Sequence, residues 1–179
     1  MEKESVNLLA GKDWYIGTSG FSFEDWVGTV YPEGIKQSEM FTYYWQHYGF
    51  NAVEINFTFY QMPSIKTLVA LLRKAPPKFK FSIKLHGSIT HEGYAEKLET
   101  FLRVTQIYEE ENRLLGYLAQ FPFGFRKEQE NVSYLIKLLN ISAILAEGEI
   151  IKDGEIKTKG NPRDVALLIL LDKAKIKRE

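Results

Sequence analysis

The chain holds 179 residues, 45% of them apolar and 26% charged, enough for one domain with a real core and too ordered in composition for a disordered segment. Lysine plus arginine equals aspartate plus glutamate, 23 against 23, so the basic excess that drives phosphate-backbone binding is missing and nucleic acid is disfavoured as a partner. No cysteine is present, which excludes disulfides, thiolate metal sites and cysteine nucleophiles; a metal would need His47, His86, His91 and carboxylates.

Residues 1–13 are polar and mixed in charge, without the apolar core of a signal peptide. The longest apolar run, 165–171, is far short of the ~20 residues of a membrane span. The expectation is a soluble cytoplasmic protein with no membrane partner. A short strand is expected at 14–17, ending in the turn Gly17-Thr18-Ser19-Gly20. Ser38 can cap a helix that runs to about Tyr48 and closes at Gly49. Segment 52–57 alternates, with Val53, Ile55 and Phe57 against Glu54 and Asn56, and reads as a strand. Ser64 caps the next helix, with Leu68, Leu71 and Leu72 at helical spacing and Pro76-Pro77 as the stop.

Segment 79–86 alternates again: Phe79, Phe81, Ile83 and Leu85 oppose Lys80, Ser82, Lys84 and His86. A helix over 94–112 buries Leu98, Phe101, Leu102, Thr105 and Tyr108. A strand over 115–121 sets Leu118 and Gln120 opposite Tyr117, Ala119 and Phe121. A helix over 128–139 uses Val132, Leu135, Ile136 and Leu139. Beyond Asn140, segments 143–152 and 155–159 flank Asp153-Gly154, a hairpin turn signal. Asn161-Pro162 then opens a helix whose run 165–171 is apolar on all sides and so must be buried or paired. Lys173, Lys175, Lys177 and Arg178 follow it; dipole complementation and solubility is the plainer reading, contact with an acidic partner the other.

The order β-α-β-α-β-α-β-α favours a parallel sheet with helical crossovers. A central strand of a doubly wound sheet is apolar on both faces, whereas strands two and three here are polar on one. That favours the inside of a barrel: an α/β fold, an incomplete TIM-type (β/α) barrel of about four βα units, followed by a hairpin and a C-terminal helix.

Several blocks carry a family resemblance. Gly17-Thr18-Ser19-Gly20-Phe21-Ser22, Asp25-Trp26-Val27-Gly28 and Tyr31-Pro32 resemble the opening of the YecE-like family, TIM-barrel proteins of unknown function. Glu54-Ile55-Asn56 with Thr58-Phe59-Tyr60 and Pro63, Phe81-Ser82-Ile83-Lys84 with Ile89-Thr90-His91, and Gln120-Phe121-Pro122 with Phe125 continue it in order. The resemblance implies a partial YecE-like barrel domain over 14–140 and leaves 141–179 as a divergent tail. A full barrel takes about 250 residues and eight units.

Barrel chemistry sits at the C-terminal ends of strands. Collected there are Thr18 and Ser19, Glu54 and Asn56, Lys84 and His86, and Gln120, from four successive strands. Glu54 and Lys84 share a barrel-facing parity on neighbouring strands. They form either a structural ion pair or a working set, with Glu54 the acid/base and Lys84 an anion clamp or a lysine of lowered pKa. His91, in the loop after strand three, is the third catalytic candidate. Asn56 and Gln120 would orient a polar ligand or satisfy neighbouring groups. Thr18 and Ser19 would present the first turn to an anion or simply make a tight turn. A metal set of His86, His91 and Glu54 is the minor alternative, so no metal ligand is assigned; no cofactor is specified. Of the rim aromatics, Trp26 and Tyr60 are kept as ligand contacts and the others as a seal. Three functions compete: an enzyme on a small polar or anionic metabolite, a binding module without turnover, and a shortened relative without activity. In the third, either the tail folds over the open barrel edges or a homodimer covers them.

Overall fold

The computed structural model describes residues 14–145, 148–150, 156–158 and 167–171, with side chains over 14–142. Three parallel strands organise it: β1 (Ala52–Ile55), β2 (Lys80–Lys84) and β3 (Leu114–Phe121), in that spatial order. The register pairs Val53 with Phe81 and Glu54 with Ser82, then Ile83 with Tyr117 and Lys84 with Leu118. Beyond a register shift between Phe81 and Ser82, where Gly116 comes to face Ser82, alternate residues share a face across the three strands. Val53, Ile55, Phe81, Ile83, Leu85, Tyr117, Ala119 and Phe121 are buried in one apolar core with the helices. Glu54, Ser82, Lys84 and Gln120, of the opposite parity, are only half-buried.

Local chemistry explains most helices. α1 (Gln37–Tyr48) is capped at Lys36, not at Ser38, which lies inside its first turn: Lys36 N–H donates to the Glu39 carboxylate at 3.3 Å, and Gly49 closes the helix at φ 69°. α2 (Ile65–Lys74) is capped by Ser64, whose hydroxyl accepts from Thr67 N–H, and it buries Leu68, Leu71 and Leu72. A single turn, α3 (Gly87–Thr90), follows β2. The expected helix over 94–112 is divided into α4 (Lys97–Thr105) and α5 (Ile107–Glu110). Thr105 marks the break: its hydroxyl reaches back to the carbonyls of Phe101 and Leu102, a bond that bends helices. The expected stripe Leu98, Phe101, Leu102, Thr105 and Tyr108 is buried throughout.

α6 (Gln129–Leu145) runs past 139, into the span where a strand was expected to begin. Its buried stripe is also turned from the expected one. Leu138 is fully buried, with Tyr134, Leu135 and Ile141 packed on the core, while Ile136 and Leu139 are exposed. The sequence of this helix is apolar on several sides, so its pattern alone does not fix the phase.

The hairpin is present: β4 (Gly148–Ile150) pairs antiparallel with β5 (Ile156–Thr158), while its Asp153-Gly154 turn lies outside the described residues. The C-terminal helix expectation is overturned at 167–171. β6 (Leu167–Leu171) is a parallel strand on the free edge of β3, Tyr117 facing Leu167 and Phe121 facing Leu171. Unbroken apolar runs suit parallel strands as well as buried helices, and the strand reading prevails here.

The expected first strand at 14–17 is not a regular strand, for a specific reason. Ile16 and Thr18 carbonyls accept from Ala52 and Glu54 N–H, and Gly20 N–H donates to Glu54 O at 2.9 Å, so the segment runs parallel beside β1. Between these bonds the Tyr44 hydroxyl is inserted. It accepts from Thr18 N–H at 2.8 Å and donates to Ala52 O at 3.0 Å, replacing a direct ladder bond. Gly17 permits the close approach, since a Cβ there would lie 1.9 Å from Ala52 O.

Candidate functional site

Glu54, Lys84 and Gln120 each occupy one of the last two positions of their strands, on the half-buried face. Glu54 Oε1 accepts from the Ser19 hydroxyl at 2.6 Å, and Thr18 is bonded to the same stretch of β1 through its carbonyl. The structure thus brings Thr18, Ser19 and Glu54 together. The Thr18 hydroxyl itself turns inward to Gly20 O at 2.6 Å and to Tyr44. Asn56 follows β1 with helical φ and ψ, and its Oδ1 is buried with no hydrogen-bond partner among the described residues, as is Trp45 Nε1 on α1. An unpartnered buried acceptor is costly.

Glu54 and Lys84 share a face but do not form an ion pair; among the described residues the pair within 4.0 Å is Arg103–Glu99 on α4. Lys84 Nζ lies instead over the Phe59 ring, 4.9 Å from its centroid. His91 meets the same ring edge-on at 5.0 Å, and Tyr60 packs on it at 5.0 Å while staying 77% exposed. Phe59 is therefore the hub that gathers Lys84, His91 and Tyr60. Sequence reasoning assigned it to the seal; its place beside Thr58 and Tyr60 in the family block was the signal.

Two expected ligand contacts have other employment. His86 caps α3: its Nδ1 accepts from Ser88 N–H at 3.1 Å and pairs with the Ser88 hydroxyl at 2.7 Å. Burial, then the nearby Lys97 charge, holds its pKa below the ordinary value, as expected of a ring nitrogen needed as an acceptor. Trp26 packs against Phe23 and Tyr31 with centroids 5.0 and 6.0 Å away, part of an aromatic plug with Tyr43 and Tyr48. Tyr31 in this plug is pushed up to about 12 by burial, so it stays a neutral hydrogen-bond donor to Phe21 O. No cluster of three or more His, Asp or Glu side chains arranged to hold a metal occurs among the described residues; His86, His91 and Glu54 are not gathered. A separate groove of about 560 Å³ lies between α1 and α2, floored by Phe21, Phe41 and Leu71 and edged by Lys66 and Lys74.

Residues 15–146 match the family described as "Protein of unknown function DUF72". The chain belongs to the DUF72 family. Among solved DUF72 structures, one from Thermotoga maritima MSB8 is 50% identical, with a TM-score of 0.64 over 71% of this chain and 51% of that one. Another, from Enterococcus faecalis V583, is 22% identical with a TM-score of 0.54, covering 70% and 46% of the two chains; it shows likeness of fold alone. The UPF0759 protein YunF of Bacillus subtilis (strain 168) is 27% identical over 129 residues, 68% of this chain and 44% of that protein. The chain thus spans about half the length of these relatives. No described helix is long and apolar enough to cross a membrane.

Proposed function

We propose that this DUF72 protein binds a small polar or anionic ligand at the C-terminal ends of β1 to β3, with Glu54 as acid/base group and Lys84 and His91 as anion-binding groups. Ser19, Asn56, Tyr60 and Gln120 would orient the ligand. The sheet in this reading is the opening part of a TIM-type barrel of the YecE-like kind, whose inner face carries the polar parity.

A single observation supports this most: neighbouring parallel strands place a carboxylate, an ammonium and an amide in their last two positions on one face, while the opposite face is wholly apolar. A surface needed only for packing gains nothing from half-burying Glu54, Ser82, Lys84 and Gln120 together. Thermal-shift measurement across a metabolite panel tests the reading. A ligand should raise the melting temperature of the native protein, and Glu54→Gln or Lys84→Met should abolish that rise while their own melting temperatures stay close to native. Variants that bind every panel compound as the native protein does, or that melt several degrees lower without ligand, contradict it.

That Glu54 is engaged by Ser19 rather than by Lys84, which rests with His91 on the Phe59 ring, favours a second reading, a non-catalytic protein in which the same rim binds without turnover. Binding with no product formed across the panel would select it.

A further inference from the structure

Resting on that rim, we infer that the ligand carries an oxyanion, a carboxylate or a phosphate, seated beside the Phe59 ring on Lys84 and His91. The seat is rigid. Phe59 ends a 3-10 turn (Phe57–Phe59) whose backbone bonds back to Asn56 O at 3.1 Å. The fully buried Thr58 hydroxyl contacts the carbonyls of Ile55 at 2.8 Å and Lys84 at 2.6 Å, tying the ends of β1 and β2 together. Gly87 leaves room for the ring: a Cβ there would come within 3.2 Å of Phe59 Cζ and of Phe59 O. With its turn tied to both strand ends and its edge against Gly87, the ring is a preorganised support for whatever rests on it.

What rests on it are two donors. No described carboxylate lies within 4.0 Å of the half-buried Lys84, and Glu54 on the same face is engaged by Ser19. The ring quadrupole steadies the Lys84 charge without taking up its N–H donors. On the ring's other contact, His91 Nδ1 is 2.9 Å from Thr90 Oγ1. With Thr90 donating to a neutral ring, Nε2 carries the proton; in a charged ring Nδ1 donates to Thr90 instead, and Nε2 is an N–H donor in either state. Lys84 and His91 therefore offer N–H groups beside one hydrophobic shelf, and an oxyanion is the partner that accepts from both. Glu54 would repel it, so the rest of the ligand, extending toward Glu54 and Gln120, is expected to bear hydroxyls.

NMR of the 179-residue chain tests this with two probes, inorganic phosphate and the neutral polyol erythritol, at ionic strength fixed with chloride. Phosphate should saturably shift the Lys84 ε-methylene and His91 ring resonances. Lys84→Met, which keeps an apolar stem on Phe59, should weaken that binding about tenfold, the loss of one charge-assisted hydrogen bond. His91→Gln should weaken it several-fold. Phosphate acting no differently from chloride, or equally on the Lys84→Met variant, overturns the inference. If erythritol shifts Ser19 and Gln120 while phosphate leaves Lys84 and His91 unmoved, the rim stands and the oxyanion seat falls. Silence from both probes at every rim residue removes both.

Discussion

Ile83 and Lys84 are adjacent in β2, yet they belong to different problems. Ile83 is fully buried beneath the helices, between Ile55 and Tyr117, and its worth is packing. Lys84 faces the other way, over Phe59, and the role proposed for it is binding. The same contrast runs through β1 and β3. Strand pleating separates a face that makes the fold stable from one available for chemistry, so substitutions one residue apart should have effects of different kinds.

The sharpest way to break that division is at its apolar side. Phe81→Ala removes a fully buried ring packed among Phe41, Phe79 and Tyr108. Denaturant unfolding should show a loss of about 3–5 kcal/mol. Tyr44→Phe comes next: it strips the hydroxyl that joins Thr18 N–H to Ala52 O and leaves buried groups unpaired. The expected cost is about 1–3 kcal/mol, and exchange of the Thr18 and Glu54 amides should quicken. Lys84→Met on the opposite face should change stability by no more than about 0.5 kcal/mol while removing ligand binding. If it destabilises the protein as much as Tyr44→Phe does, the division between faces is wrong.

The smallest effect expected is one of pH. His86 is held below its ordinary pKa, so the folded protein takes up that proton at lower pH than the unfolded chain. Its contribution is complete above the unfolded value of about 6.5 and is lost as pH falls from there through the folded pKa. His86→Asn, which keeps an acceptor for the α3 cap, should flatten this part of the stability-against-pH curve. An unchanged slope would mean that another group titrates there.

The sequence made the division itself legible, because alternation is local: Val53 and Ile55 against Glu54, and Phe81 and Ile83 against Ser82 and Lys84, needed no tertiary information. Helix ends at Gly49 and before Pro76 were equally local. What escaped was set at long range. The interruption of the first strand depends on Tyr44, 26 residues from Thr18. The phase of α6 and the strand at Leu167–Leu171 depend on which neighbour covers an apolar run, and hydropathy does not record that. In the site, Lys84 exchanged an expected Glu54 partner for Phe59, because the turn after β1 carries that ring back to the end of β2.

The most direct test of the account is a high-resolution structure of protein carrying a ligand retained through purification. The account predicts ligand density at the strand ends, within hydrogen-bonding distance of Lys84 and of Glu54 or Gln120. Ligand lodged instead between α1 and α2, over Phe41 and Leu71, with the strand ends empty, would contradict it.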